Sequence, residues 1–284
     1  MDHGALIAHA LKAHAALEST WEVLELPLIR ATCGGLCRTV AHGASPGRNS
    51  PEVFMASAYV IAPPSLPALP VDARTDLFPV HRIYCVGRNF ADHAIEMGHD
   101  PQREPPFFFQ KNPDNLVPGG GAIAYPARTR DLHFEIELVV ALKTGGENIP
   151  ASEALDHVYG YGVGIDFTRR DLQGEAKKLG RPWEVGKAFE HSAPASALVP
   201  AERIGHPDAG RIWLAVNGVI RQDGNLNQMI WRVPDIIAEL STLFRLAPGD
   251  LIFTGTPAGV GAVSPGDVLE GGVDGVSTLR VTIT

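Results

Sequence analysis

Two glutamates separated by one residue, Glu135 and Glu137, lie in a segment, residues 133–141, that has the alternating pattern of a strand. Because side chains alternate between the faces of a strand, we expect both carboxylates on one face, about 6.5–7 Å apart. One hard cation with oxygen ligands at about 2.0–2.6 Å can bridge that gap. A solvated strand face is the alternative, since antiparallel sheets often expose charged residues on one side. The pair therefore needs further ligands before it defines a metal site.

Asp166 supplies a third carboxylate at the end of a glycine-rich segment, residues 159–165. The alternating small residues predict a strand against which another backbone packs closely, followed by a helix entered through Thr168 and Asp171. If Asp166 faces the two glutamates, the three carboxylates form an oxygen-rich pocket suited to Mg²⁺ or Mn²⁺.

His93 and Glu96 are three residues apart in a run of good helix formers that ends at Gly98. On a helix the two side chains share a face. A carboxylate beside an imidazole can hold its tautomer and stabilise the imidazolium, which makes a general base for activating water. An ordinary pair on an exposed helix has the same spacing and is the alternative.

Two lysines are candidates for binding an anion. Lys187 lies in a glycine-rich loop with one tryptophan, residues 180–188, where burial beside carboxylates would let it stabilise an oxyanion. This loop is not a phosphate loop, because five residues separate its glycines and no Ser or Thr follows the lysine. Lys111 ends an apolar run, residues 105–109. A solvated lysine is the alternative at both positions.

Composition restricts the class of protein. The chain has 284 residues, of which 45% are hydrophobic and 20% charged, with a formal net charge of −8. Clustered positive charge is what binds nucleic acids and anionic membranes, so neither partner is expected. The sequence has no apolar run of membrane-spanning length and no positively charged start typical of a signal peptide, so we expect a cytoplasmic protein.

The elements that must position these groups are short strands and one apolar helix. Residues 212–216 and 219–220 predict a hairpin around Asn217 and Gly218. Pro234 fits the first turn of a helix whose apolar stripe runs to residue 244. A strand at residues 250–253 leads into a glycine-rich loop, residues 254–261, whose N–H groups can approach a ligand.

Five separated motifs are similar, in this order, to the fumarylacetoacetate hydrolase (FAH) superfamily in its short acylpyruvate hydrolase form. They are Val-Gly-Arg-Asn-Phe-Ala-Asp-His-Ala-Ile-Glu at 86–96, the strand 133–137, Gly-Ile-Asp-x-Thr-x-Arg-Asp-x-Gln at 164–173, Gly-Lys at 186–187, and Thr-Gly-Thr-Pro-x-Gly-Val-Gly at 254–261. The similarity runs from about residue 81 to 284. Residues 97–100, 104–109 and 179–194 further resemble the fumarylpyruvate hydrolases.

The resemblance implies an α+β fold that is mostly β, a mixed β-sandwich or roll with peripheral helices, usually as a homodimer. It implies one Mg²⁺ or Mn²⁺ per subunit, held by Glu135, Glu137 and Asp166. The implied catalytic residues are His93 and Glu96, which activate water, and Lys187, which binds the oxygen on which charge develops. The implied substrate-binding residues are Arg170, Gln173, Thr256 and, as a looser match, Lys111.

The activity that the resemblance implies is hydrolysis of the carbon–carbon bond of an acylpyruvate. Fumarylpyruvate would give fumarate and pyruvate, as in the breakdown of gentisate and other aromatic compounds. The substrate is then a small anionic oxo acid. Decarboxylation of oxaloacetate or keto–enol isomerisation on the same site is the first alternative, because a stabilised enolate is common to all three reactions. A non-catalytic, metal-stabilised module is the second.

The resemblance also divides the chain. Residues 81–284 are expected to form the catalytic domain, and residues 55–80 a Pro-rich segment that leads into it. Residues 1–54 have no counterpart in the pattern and are expected to be a poorly ordered extension, because Gly, Pro and Ser interrupt them without an apolar period. We expect the functional start at Met55, just before a short strand pattern at residues 56–61.

Overall fold

Short strands are the commonest regular elements in the part of the chain that the structure describes. The structure is a computed structural model, and it describes residues 59–91 and 105–284. The strands are Ala68–Pro70 (β1), Leu77–Pro79 (β2), Arg82–Val86 (β3), Phe108–Lys111 (β4), Leu116–Pro118 (β5), Gly121–Ile123 (β6), Leu132–Phe134 (β7), Ile136–Leu142 (β8), Val158–Ile165 (β9), Thr168–Arg169 (β10), Ala193–Ala195 (β11), Val199–Pro200 (β12), Arg211–Val216 (β13), Val219–Asn225 (β14), Asp250–Phe253 (β15), Gly261–Val263 (β16), Val268–Val273 (β17) and Ser277–Ile283 (β18). The helices are Arg170–Leu179 (α1), Glu184–Lys187 (α2), Ala201–Ile204 (α3) and Val233–Leu243 (α4), with 3₁₀ turns at Pro113–Asn115, Ala154–His157 and Leu226–Gln228.

The central sheet has the order β4-β3-β15-β8-β9-β11-β5, with β12 also paired to β9. All of β8 is buried, as expected for a strand covered on both faces. Its antiparallel neighbour β9 is rich in glycine because other side chains come close to it. A Cβ atom on Gly164 would lie 2.5 Å from the ring of Phe253 and 2.8 Å from Val139. A Cβ atom on Gly160 would lie 2.3 Å from the carbonyl oxygen of Val199, so the predicted strand with a closely packed backbone neighbour is confirmed.

A second sheet, of order β14-β13-β17-β18-β6, forms the other wall of the main core. Side chains of both sheets share one apolar cluster, which includes Ile136, Leu138, Leu214, Leu269 and Val281. The predicted hairpin β13–β14 is confirmed, and its turn residues Asn217 and Gly218 have φ of +52° and +78°. Two positive φ values are typical of the tight hairpin turn. The mostly β, α+β fold that the sequence predicts is present.

The segment 133–141 is two strands separated at Glu135, whereas the sequence predicts one. β7 pairs with β10 and β16 in a three-stranded sheet, while β8 pairs with β9 and β15 in the central sheet. The chain thus passes from one sheet to the other at Glu135. Phe134 and Ile136 are buried on either side of this point, so the apolar pattern continues through the break.

Part of the Pro-rich lead-in is packed into the fold. β1 and β2 pair with each other, and Leu69, Val71 and Phe78 are buried in a second apolar cluster with residues of β3 and β15. The predicted strand at 56–61 is wrong for the described residues 59–61, which are exposed and in no strand. Residues 1–54, the predicted extension, lie outside the described residues.

Helix α4 packs on the core through the first part of its predicted apolar stripe, whereas Leu243 and Phe244 at the end of the stripe are exposed. Pro234 lies in its first turn, and Ile236, Ile237 and Leu240 are buried. Within residues 59–91 and 105–284, no helix is long and apolar enough to cross a membrane.

Candidate metal centre and active site

The structure brings the three predicted carboxylates together. The pairing of β8 with β9 places Ile136 opposite Ile165, and the amide of Asp166 donates to the carbonyl oxygen of Glu135 at 2.8 Å. Asp166, one residue beyond β9, therefore lies beside the glutamates that flank Ile136. One oxygen atom of each carboxylate lies within 4.8 Å of the other two.

All three carboxylates are removed from solvent. Glu135 is 5% exposed, Glu137 is 1% exposed and Asp166 is fully buried. A solvated strand face would leave these side chains in water, so that alternative does not describe them. Buried carboxylates require cations or hydrogen-bond donors, because burying an uncompensated charge is costly.

Lys187 supplies one of these cations from the last position of α2. Its Nζ donates to Glu135 Oε2 at 2.7 Å, to Asp166 Oδ2 at 2.6 Å and to Thr168 Oγ1 at 2.7 Å. Burial by itself would lower the pKa of Lys187, but Asp166 and Glu135 outweigh this effect and raise it. The lysine is thus charged and buried rather than solvated. Each of the three ammonium hydrogens of Lys187 already has an acceptor. Lys187 must therefore break one of these hydrogen bonds before it can donate to a substrate.

Lys111 supplies a second buried cation. Its Nζ lies 2.8 Å from Asp166 Oδ1, donates to the carbonyl oxygen of Phe167 at 3.1 Å and makes a short hydrogen bond to the carbonyl oxygen of Lys187. These contacts direct the ammonium group to Asp166 and to the backbone around it. We infer that Lys111 positions Asp166 and Lys187, and that a direct contact with substrate is not needed to explain its burial.

Arg170 reaches Glu135 from the first turn of α1. Its guanidinium group makes a short hydrogen bond to Glu135 and donates to Gln173 Oε1 at 2.7 Å. Its Nε lies 3.4 Å from His133 Nδ1, and His133 Nε2 lies 2.8 Å from Asp131. Burial, followed by the charge of Arg170, lowers the pKa of His133. A neutral His133 that donates to Asp131 can accept from Arg170 and so orient it.

Thr256 lies in the glycine-rich loop after β15, and the backbone of this loop contacts Glu137. The amide of Gly255 donates to Glu137 Oε2 at 2.8 Å. Gly255 has φ of +92°, and a Cβ atom there would lie 2.7 Å from Cβ of Asn89, so only glycine fits this approach. Thr256 is 3% exposed, and its hydroxyl accepts a hydrogen bond from Gln222 at 2.8 Å.

The site fits a divalent cation with oxygen ligands. Within residues 59–91 and 105–284, Glu137 forms no ion pair, and burial, then Asp166 and Glu135, raise its pKa well above the usual range. Asp166 Oδ1 is buried and pairs with the ammonium group of Lys111 at 2.8 Å. A cation among the three carboxylates would compensate the charge of Glu137. The all-oxygen donor set is one that Mg²⁺ and Mn²⁺ accept.

Sequence reasoning missed the residues that hold the ligands in place. Asn89 lies inside a recognised motif, and its side chain bonds the backbone of Thr254 and Trp231. Gln222 has no local pattern that marks it, because its partners are distant in sequence. His133 lies inside the recognised strand 133–137, but its contact with Arg170 joins segments 37 residues apart. The predicted base, His93 with Glu96, lies outside the described residues.

The fold and this site together define a class of protein: two packed sheets with a buried cluster of three carboxylates that can hold a divalent cation. A family model, Fumarylacetoacetate (FAA) hydrolase C-terminal, matches residues 82–284. The chain belongs to this family.

Relatives of known name share most of the described domain. The oxaloacetate tautomerase FAHD1 of Rattus norvegicus is 47% identical over 71% of this chain and 90% of its own length. The fumarylpyruvate hydrolase of a Ralstonia species is 45% identical over 65% of this chain and 95% of its own length. A crystal structure of fumarylpyruvate hydrolase from Pseudomonas aeruginosa, in complex with Mn²⁺ and pyruvate, is 49% identical with a TM-score of 0.79, covering 80% of this chain and 99% of that one.

Proposed function

We propose that this protein is a Mg²⁺- or Mn²⁺-dependent hydrolase that cleaves fumarylpyruvate to fumarate and pyruvate. Water adds its oxygen to the acyl carbon, the bond between that carbon and the pyruvyl methylene breaks, and the methylene gains a proton to become the pyruvate methyl group. The observation that carries the proposal is the buried triad of Glu135, Glu137 and Asp166 with Lys187 bound to two of its members. The Mn²⁺ and pyruvate bound to the Pseudomonas aeruginosa relative support it.

The cation, when bound, supplies Lewis-acid stabilisation of negative charge on an oxo-acid oxygen. The residues around it supply complementary positive charge in a site that excludes water. Lys187 is charged and buried, so it can stabilise an oxyanion more strongly than a solvated lysine could. Arg170 and Gln173, joined at 2.7 Å, provide donors that can orient an anionic substrate. Thr256 adds a hydroxyl group beside Gly255.

We further propose that His93, supported by Glu96, removes the proton from the attacking water. His93→Ala is expected to lower kcat by about 10²-fold to 10⁴-fold, the usual contribution of a general base. Mn²⁺ affinity should stay at the wild-type value, because a base that acts on water is not a metal ligand. Steady-state kinetics and calorimetric Mn²⁺ titration measure the two effects. Unchanged turnover with metal bound would remove His93 from the mechanism.

Oxaloacetate tautomerisation or decarboxylation is the second candidate function. It is favoured by a relative named oxaloacetate tautomerase, whose identity of 47% is similar to the 45% of the Ralstonia fumarylpyruvate hydrolase. A panel of fumarylpyruvate, maleylpyruvate, acetylpyruvate, fumarylacetoacetate and oxaloacetate, each with Mg²⁺ or Mn²⁺, separates the candidates. We expect the highest kcat/KM with fumarylpyruvate, measured by loss of ultraviolet absorbance. A higher kcat/KM with oxaloacetate would reverse the order of the two proposals.

The proposal places the functional start at Met55. A variant that begins there is expected to keep the turnover of the full chain, since the site residues that the structure describes lie between Lys111 and Thr256. A shorter variant that begins at His81 is the matched control. It loses β1 and β2, whose buried apolar side chains cover β3 and β15, so its melting temperature should fall. Loss of activity in the variant from Met55 would overturn this boundary.

We also propose that the protein acts as a cytoplasmic homodimer in the breakdown of aromatic compounds. The family resemblance supports the dimer and the role in aromatic breakdown, because proteins of this family are usually homodimers and the fumarylpyruvate hydrolases that the chain resembles act in gentisate breakdown. Light scattering coupled to size exclusion tests the dimer, and a monomer at micromolar concentration would contradict it.

A further inference from the structure

We propose that Gln222, on the outer strand of the second sheet, positions Thr256 as a hydrogen-bond donor to the substrate. This inference rests on the proposed function only in taking Thr256 as a substrate contact. Gln222 is fully buried, whereas its neighbours Arg221 and Asp223 are exposed. A buried amide on an otherwise exposed edge strand needs a reason, because burying a polar group without partners is costly.

The amide of Gln222 joins two segments of the site. Its Nε2 donates to Thr256 Oγ1 and to the carbonyl oxygen of Pro257, both at 2.8 Å. Its Oε1 accepts from the amide of Ile136, between Glu135 and Glu137, at 3.0 Å. The opposite orientation of the amide would set donor against donor at Ile136 and acceptor against acceptor at Pro257. The partners therefore fix which end of Gln222 faces Thr256.

An irregularity in the strand accompanies the inward turn of Gln222. In the pairing of β13 with β14, Leu214 lies opposite Gln222 and Ala215 lies opposite Ile220, which leaves Arg221 as an extra residue. Such a β-bulge redirects a side chain and is common beside active sites. At this bulge Gln222 turns inward to the site, while Arg221 and Asp223 on either side of it stay exposed.

The direction of the hydrogen bond sets the chemistry of Thr256. Because Gln222 donates to Thr256 Oγ1, the hydroxyl hydrogen of Thr256 must point to another acceptor. Within residues 59–91 and 105–284, this hydrogen has no protein acceptor. The neighbouring Gly255 amide contacts Glu137, so the backbone next to Thr256 lies beside the carboxylate cluster. Gln222 therefore leaves Thr256 ready to donate to a carboxylate or oxo oxygen of the substrate.

A double-mutant cycle tests this role. Gln222→Met keeps the length of the side chain and removes both its donors and its acceptor for the Ile136 amide, and Thr256→Val removes the hydroxyl. We expect each single change to lower kcat/KM for fumarylpyruvate and to weaken pyruvate binding to the Mn²⁺-loaded protein by about 10-fold, the usual effect of one hydrogen bond to a charged group. Gln222→Met should weaken pyruvate binding less in the Thr256→Val background than in the wild type, because the part of its effect that acts through the Thr256 hydroxyl is already lost there.

Independent effects would overturn the proposal. If Gln222→Met weakened pyruvate binding equally in the wild-type and Thr256→Val backgrounds, its role would be structural only. Ser241→Ala is the matched control, since it removes a buried bond to the amide of Ile149 and should lower the melting temperature without altering pyruvate binding. If Gln222→Met does not fold, Gln222→Leu replaces it in the cycle, because leucine also has no donor for Thr256. Pyruvate binding is read without turnover, so a wrong substrate assignment would leave this result intact.

Discussion

Glu137→Gln is expected to abolish Mn²⁺ binding and lower turnover by about 10³-fold or more, while raising the melting temperature of the metal-free protein. Loss of the cation removes several kcal/mol of transition-state stabilisation. The metal-free protein gains stability because Glu137 is a buried carboxylate whose pKa is raised by burial, then by Asp166 and Glu135. Glutamine carries no charge, and its oxygen can still accept from the Gly255 amide. Calorimetric Mn²⁺ titration measures the loss of metal binding, and thermal unfolding measures the rise in the melting temperature of the metal-free protein.

The pH dependence of this gain has a definite sign. A folded-state pKa above the unfolded value, about 4.3 for glutamate, means that the folded protein holds the proton more tightly. The free energy of unfolding of the metal-free wild type therefore falls as pH rises from about 4.3 to the folded-state pKa of Glu137. Glu137→Gln does not lose this free energy. The metal-free variant should therefore be more stable than the metal-free wild type at pH 7 and equally stable below about pH 4. Glu153→Gln, at an exposed position, is the control that should change neither property. Retained Mn²⁺ affinity in Glu137→Gln would contradict the assignment.

Lys187→Met is expected to have the opposite effect on stability. It removes the cation that contacts both Glu135 and Asp166, and leaves two buried carboxylates with less compensation. Breaking a buried ion pair from one side costs about 3–5 kcal/mol, so the melting temperature of the metal-free protein should fall. Turnover should fall by about 10²-fold to 10³-fold, because an oxyanion donor is lost. Unfolding curves and kcat at saturating Mn²⁺ measure the two losses.

Two further variants show whether the effects of Lys187→Met come from loss of a positive charge in general or from loss of the ammonium group at this position. Lys178→Met removes an exposed lysine from the same region of sequence and should leave both properties unchanged. Lys187→Arg keeps the charge, but its planar fork does not match the three contacts of the ammonium group. It should therefore recover part of the stability and little of the turnover. Full activity in Lys187→Met would exclude this lysine from the chemistry.

Local patterns in the sequence predict the elements that carry the site. The tight turn at Asn217 and Gly218, the proline-led start of α4 and the strand before the 254–261 loop all depend on neighbouring residues, and all are present. Asp166 is predictable because polar residues at strand ends often form sites. Its closeness to Glu135 depends on the antiparallel register of β8 and β9, which the sequence supports only through the family resemblance.

Contacts between distant segments are what the sequence cannot predict. The break at Glu135 depends on which strands pair with each half of the segment, whereas the apolar pattern is the same for one strand or two. The position of Lys111 behind Asp166 depends on Phe167 and Lys187, which are far along the chain. Gln222 is buried only because a bulge in β14 turns it inward.

The most direct test of the central claim is the identity of the products formed from fumarylpyruvate by the Mn²⁺-loaded protein. We predict fumarate and pyruvate in equal amounts, resolved by NMR, with no product from Glu137→Gln under the same conditions. Recovery of unchanged fumarylpyruvate, together with tautomerised or decarboxylated oxaloacetate from the same preparation, would contradict hydrolysis of an acylpyruvate as the function of this site.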